Sequence, residues 1–137
     1  MLREIRQAFT GDEDIFKYFD PTVRVKTYED VVDNVVDKLF EYALEYDVRF
    51  ISMDRGYVFT AGPSVLVSFG LAPERRSKEG LTELWGNIKS NLVSPFYCSL
   101  WAKNTRAIEW LKKCGMRYDS TAEFNGHEII TLCHSED

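Results

Sequence analysis

Histidine and cysteine are scarce in this chain, and each shortage removes a class of chemistry. There are two histidines, His127 and His134, and three cysteines, Cys98, Cys114 and Cys133, in 137 residues. No Cys-x-x-Cys spacing occurs and the cysteine count is odd, so a disulfide framework is not expected and the thiols read as reduced core groups. Both histidines fall on the predicted terminal hairpin, where structural roles on a strand face are expected and metal ligation is not. No Gly-x-Ser-x-Gly occurs, and no Cys/His spacing suggests a nucleophile with its base, which leaves nucleophilic hydrolysis without support. Apolar runs are short. None approaches the roughly 18 residues of a spanning helix, and the first seven residues lack the apolar region of a signal peptide. Positive clusters are missing as well. Seventeen Lys and Arg against 22 Asp and Glu give a net charge of −5 with the signs interspersed. Nucleic acid and membrane, which need a concentrated positive surface, are therefore not expected as partners, and the expected location is the cytoplasm.

What the chain does have is apolar periodicity. At 45% hydrophobic residues it is long enough for one core, and residues 1–137 read as a single domain. Val31, Val32, Val35, Val36, Leu39, Phe40, Ala43 and Tyr46 recur at helical spacing and predict an amphipathic helix over about 30–46. Three strands are predicted next, at 49–53, 57–61 and 65–71, with Asp54-Arg55-Gly56 and Gly62-Pro63-Ser64 as the turns of an antiparallel meander. Leu81, Leu84, Trp85, Ile88 and Leu92 then mark a second helix over 79–92. A strand at 96–102, a short helix, and two strands at 117–124 and 127–133 around Asn125-Gly126 complete the order. Ahead of all this, residues 4–27 suggest only a turn at 9–14 and a short helix at 15–19 that Pro21 ends.

The segment after the 96–102 strand is the most specific. It reads Asn104-Thr105-Arg106-Ala107-Ile108-Glu109-Trp110-Leu111-Lys112-Lys113-Cys114-Gly115-Met116. Asn104 or Thr105 can cap a helix whose apolar face is Ala107, Ile108, Leu111 and Cys114, and Gly115 can take the left-handed position that ends it. The segment resembles motif B of the GNAT acyltransferases, Asn-x-x-Ala-Ile and then Lys-x-Gly, through Asn104, Ala107, Ile108, Lys113 and Gly115. The element order is also similar to that family's. The resemblance implies an α/β fold, a GNAT-like mixed sheet of about six or seven strands flanked by helices. It implies a strand at 96–102 that is parallel to 65–71 and splayed from it at one end. It further implies acetyl-CoA as cofactor, with Leu71, Ala72, Asn104 and Arg106 along its pantetheine arm, and a small-molecule or peptide amine as acceptor. Taken alone, Asn104 is a helix cap.

The chemistry that the resemblance calls for is thinner. In the family a Gln/Arg-x-x-Gly-x-Gly/Ala loop binds the pyrophosphate through bare amides at a helix N-terminus. Counting that motif from Arg76 puts Glu79 and Leu81 where glycines stand. Arg75, Arg76, Ser77 and Lys78 remain as groups for the anionic end of the cofactor, the alternative for the cations being a solvated helix start. The general acid of the family falls at Leu111, so Tyr97 and Tyr118 are the candidate acids, and Glu74 is the candidate base beside its reading as a first-turn carboxylate. No metal ligands are expected. The run from 65 to 133, with Trp101, Asn104-Thr105, Leu111 to Gly115 and Asn125-Gly126, is also similar to the internal virion protein A type of short-tailed phages. That resemblance implies a non-enzymatic protein with other virion proteins as partners. Two readings therefore stand: an N-acetyltransferase with a degenerate loop, and a structural protein that keeps the fold. Both carry the expectation that acetyl-CoA binds weakly or not at all.

Overall fold

The computed structural model describes residues 1–136. Helices α1 (Leu2–Phe9), α2 (Ile15–Tyr18) and α3 (Tyr28–Ala43) precede the strands β1 (Val48–Met53), β2 (Gly56–Ala61) and β3 (Val65–Leu71). A single 3-10 turn, Pro73–Arg75, leads into α4 (Lys78–Ser90), then β4 (Phe96–Trp101), α5 (Thr105–Lys113), β5 (Arg117–Phe124) and β6 (His127–His134). The six strands form one mixed sheet in the order β1-β2-β3-β4-β6-β5. Every neighbouring pair is antiparallel except β3 and β4, which are parallel and joined by the α4 crossover.

Local signals explain where the helices stop and start. Helix α3 begins in a capping box: the Asp30 amide donates to Thr27 Oγ1 and the Thr27 amide to Asp30 Oδ2. Helix α5 ends in a Schellman motif, with the Met116 amide on the Leu111 carbonyl, the Gly115 amide on Lys112, and Gly115 at φ +107°. At the terminal hairpin Asn125 and Gly126 both have positive φ, as a two-residue turn of this hand demands. Helix α1 is the element that the sequence pattern missed. Its buried apolar residues are Ile5, Ala8 and Phe9, set against the sheet.

The sheet separates two cores. On one face α1 and α3 bury Ile5, Ala8, Val31, Val32, Val35 and Leu39 over Tyr57, Phe59 and Val67. On the other, α4 and α5 bury Leu84, Ile88, Ile108 and Leu111 over Val58, Leu66, Phe96, Cys98 and Leu132, with Leu81 and Trp85 packed at the margin. Burial on both faces explains why all six residues of β2 are inaccessible and why its sequence lacks a simple alternation. The α1 face closes tightly on β3 because residue 70 is glycine: a Cβ there would stand 2.9 Å from Ala8 Cβ and 3.0 Å from the Phe9 ring. That contact delivers the chain after α1 to the end of β3. His134 is buried, its ring stacked on Phe96 at 4.8 Å, with Nδ1 2.9 Å from Ser94 Oγ, a structural role.

Leu111 is completely buried between α5 and the sheet. Leu111→Ala is expected to lower unfolding free energy by about 2–5 kcal/mol in a denaturant titration. A loss below about 0.5 kcal/mol, the range of surface substitutions, would place Leu111 outside the core.

Candidate active site

The site begins with a failure of strand pairing. Strands β3 and β4 are registered only at Val65 with Tyr97 and Leu66 with Cys98. Immediately beyond, β3 carries an extra residue relative to β2, since Phe59 opposes Ser68 and Thr60 opposes Leu66, which leaves Val67 as a bulge. A bulge bends the strand that carries it, and here β3 turns away from β4. Residues 67–71 then have β2 on one side and open space on the other, while residues 99–101 of β4 have β6 on one side only. Their free peptide edges face a cleft of about 890 Å³. Unpaired backbone groups along a cavity are unusual in a folded interior and mark a place where a ligand or water completes the hydrogen bonding.

Several walls close this cleft. Val67 to Leu71 and Cys98 to Trp101 form the two edges, and Leu81, Leu84, Asn104, Ala107 and Trp110 line it from α4 and α5. From the opposite face come Tyr18, Phe19 and Asp20 near α2, and Asp37, Lys38, Glu41 and Tyr42 of α3. Cys98 is fully buried at the point of divergence, and burial pushes its thiol up to about 12, so it remains a neutral core group. Burial also raises the Tyr42 hydroxyl, helped by the neighbouring Tyr46, Cys98 and Glu41, so that it stays protonated through neutral pH. Ser68 Oγ lies 2.7 Å from the hydroxyl of fully buried Tyr57.

The sequence-derived site residues divide sharply. Leu71, Arg76, Asn104 and Arg106 line the cleft, and Ala72 is buried directly after Leu71. Asn104 is also the α5 cap, its Oδ1 accepting from the Ala107 amide at 3.4 Å. Arg75 turns outward to Glu83, at 2.6 Å, and to the Asp54 carbonyl. Ser77 caps α4 by accepting from the Gly80 amide at 3.3 Å, and Lys78 is exposed in the first helical turn. The three acid-base candidates lie off the cleft wall. Glu74 is exposed and paired with Arg55. Tyr97 sits at the paired end of β3 and β4, 37% exposed, with its hydroxyl toward Cys133. Tyr118 is 59% exposed on β5 and shares a hydrogen bond with Thr121. Strand period explains Tyr97: it alternates with buried Phe96 and Cys98 and so faces away from them.

The largest surprise is Asp12, in the turn between α1 and α2. Its carboxylate is 4% exposed and receives a bidentate pair from Arg106, at 3.1 and 2.7 Å, together with an Arg76 nitrogen at 2.8 Å. Arg76 is further held by its Nε on the Leu71 carbonyl, at 2.7 Å, and the Arg106 guanidinium lies 4.9 Å over the Tyr18 ring. One carboxylate thus ties the N-terminal turn to the β3–α4 loop and to the start of α5. Burial acts to raise the Asp12 carboxyl, but the bonds from Arg106 and Arg76 prevail and hold it below its ordinary 3.8. The only sequence signal for Asp12 was the Gly11-Asp12 turn, which contains nothing about a partner 94 residues away.

At the mouth of the cleft, Gly80 has no room for a side chain. A Cβ would fall 1.8 Å from the Arg75 carbonyl oxygen, so the loop folds directly over the first turn of α4. With the Gly80 amide on Ser77 Oγ and the Leu81 amide on the Ser77 carbonyl, the amides of Lys78 and Glu79 are the ones left for a ligand.

Solved structures similar to this one include acetyltransferases. A probable GNAT-family acetyltransferase from Chromobacterium violaceum aligns over 97% of this chain and 80% of its own, with a TM-score of 0.63 at 10% identity. A putative GNAT-family acetyltransferase from Desulfovibrio desulfuricans aligns over 98% and 91%, at 0.59 and 18%. Spermidine N-acetyltransferase from Vibrio cholerae, in complex with CoA and spermine, aligns over 96% and 88%, at 0.56 and 16%. The fold of the chain is that of the GNAT acetyltransferases. No protein-family model matches the sequence, and neither does any curated protein. Among the described residues no helix is long and apolar enough to cross a membrane, and no three His, Cys, Asp or Glu side chains are grouped to hold a metal.

Two outcomes follow for stability. Because the folded Asp12 carboxyl is lowered, its contribution is present above the ordinary carboxyl value and disappears as pH falls through the folded one. Wild type is therefore expected to lose more stability than Asp12→Asn between about pH 6 and about pH 3, measured as urea midpoints; equal losses would mean that the bridge does not form. Gly80→Ala is expected to destabilise by more than the roughly 1 kcal/mol that Ala normally adds inside a helix, with a lowered melting temperature as the readout.

Proposed function

We propose that the cleft takes the thioester arm of an acyl-CoA, acetyl-CoA in the simplest case, and transfers the acyl group to an amine. The observation that carries this reading is the divergence of β3 from β4 directly in front of the α4 N-terminus. An extended arm with two amides can pair with the open strand edges while its phosphates approach the amides of Lys78 and Glu79 and the cations Arg76 and Arg106. That the Vibrio cholerae relative is described in complex with CoA and spermine supports the same assignment of ligand classes. The amine nitrogen bonds to the thioester carbonyl carbon, the carbon–sulfur bond breaks, and the amine's proton must leave as the thiolate gains one. Glu41 and Tyr42, both on the cleft wall, take these two roles: Glu41 accepts the proton and the Tyr42 hydroxyl donates one to sulfur. Asp20, Asp37 and Glu41 outnumber Lys38 on this side and favour a cationic acceptor.

Donor binding is weak in this reading. Counting the phosphate motif from Arg75, one residue earlier than the Arg76 register, puts Gly80 at its final small position and Lys78 where the first glycine stands. The loop then keeps its tight turn but lacks a full nest of bare amides. A missing charge-assisted bond is worth roughly 1.5–3 kcal/mol, so a micromolar ligand falls toward the millimolar range when two or three are absent.

The non-enzymatic reading, with other virion proteins as partners, rests on one specific observation. Glu74, Tyr97 and Tyr118 all lie off the cleft, and Leu111 replaces the family's acid with a buried core residue. Calorimetry with acetyl-CoA decides between the two. The expected result is a dissociation constant of about 1 mM or somewhat below, with acetyl transfer to a polyamine or peptide amine that Tyr42→Phe reduces. No binding at several millimolar and no transfer would leave the non-enzymatic reading; micromolar binding would refute the weakened loop.

A further inference from the structure

We infer that Asp12 is an internal occupant of an anion site: its carboxylate holds the two guanidiniums, Arg76 and Arg106, that a phosphate group must engage when it enters the cleft. The assignment rests on the acyl-CoA reading for the identity of the natural anion, and on geometry for the site itself. Two cations share one carboxylate here, so the cluster retains a positive charge after Asp12 is counted. The Asp12 side chain is 4% exposed behind them, whereas Arg76 and Arg106 are 25% and 36% exposed and line the cleft. The cations are thus reachable from the cleft and the carboxylate is not. Arg106 spends both of its terminal nitrogens on Asp12, the fork geometry that a phosphate would use. A pyrophosphate carries more charge than one carboxylate and can take both arginines from it.

Displacement has a mechanical consequence. Asp12 sits in a tight turn, its amide on the Phe9 carbonyl and its own carbonyl receiving the Ile15 amide. Four residues of helix separate that turn from Phe19, and Tyr18, in contact with Arg106, forms part of the cleft wall. Releasing the carboxylate therefore loosens the turn at residues 10–14 from the cleft mouth, while buried Ile15 keeps α2 seated in the core. The bridge makes the N-terminal turn a latch that an anionic donor must undo, and it lowers donor affinity by the strength of the contact it replaces.

The test uses inorganic pyrophosphate and CoA as probes, with wild type, Asp12→Asn and Arg106→Gln compared by calorimetry. Asn keeps the shape and removes the charge. Asp12→Asn is expected to bind pyrophosphate at least about tenfold more tightly than wild type, and Arg106→Gln more weakly. Unchanged or weaker binding by Asp12→Asn overturns the latch, because a carboxylate that merely positions the arginines would help an anion to bind. The unaltered protein gives a second measurement that does not depend on a variant folding. Pyrophosphate is expected to speed hydrogen exchange of the amides in residues 10–14; slower or unchanged exchange there overturns the proposal. If pyrophosphate responds as described and CoA binds neither wild type nor Asp12→Asn, the acyl-CoA reading fails and the latch stands. If CoA binds and Asp12→Asn makes no difference, the latch fails and the acyl-CoA reading stands.

Discussion

Parallel strands hold together through evenly spaced hydrogen bonds, and β3 and β4 surrender theirs after two residue pairs. Most other features of the molecule can be traced to that divergence. The bulge at Val67 turns β3, the α4 crossover lets β4 start beside it in parallel, and the two helical layers must then reach around an open wedge. The sheet survives because β3, apart from the Val67 bulge, remains paired with β2, and β4 with β6. Each side of the wedge is anchored by an antiparallel neighbour, and the break costs only the bonds that a ligand or water can replace.

Tight packing at two glycines sets what stands at the wedge. Gly70 lets α1 settle onto β3, which carries the following turn to the end of the strand. Gly80 lets the Arg75 carbonyl close over the α4 N-terminus. The first contact brings a carboxylate to the mouth of the cleft and the second removes space from the loop where phosphates would rest. Both act against an anionic ligand, one by occupying its cations and one by limiting the amides it can reach. The same cleft has mostly acidic groups on its α3 side. An anion entering at one end and a cationic amine at the other would meet complementary charge only after Asp12 gives way.

The two hydrophobic cores have separate tasks. The α4 and α5 core fixes the angle of the wedge, since Leu84, Ile88, Ile108 and Leu111 fill the space behind both strands. The α1 and α3 core fixes which polar groups face the opening. A cavity of this size is tolerated because its lining is partly backbone and polar side chains that water can satisfy, whereas an apolar void would remain a net loss.

Much of this was readable in the chain itself. Period and turn chemistry located α3, α4, α5 and all six strands, because amphipathic spacing, Asn125-Gly126 and the Gly115 stop are local signals. Asn104 and Arg106, which both line the cleft, were singled out only by the resemblance that the Asn104 to Gly115 segment carries, since by local pattern Asn104 is a helix cap. Helix α1 escaped because it is only eight residues long, a little over two turns, and so repeats its apolar spacing of Leu2, Ile5, Ala8 and Phe9 barely once. Tyr97 and Tyr118 were drawn toward the site by chemistry alone, and Glu74 by its place in the chain. The facing of a strand residue depends on register with its neighbours, and the partner of an exposed carboxylate depends on what tertiary contact brings near. For the same reason only the folded molecule decided the role of Asp12. Its partners are 64 and 94 residues away, and no local pattern encodes a contact that exists only after α1 has closed on Gly70.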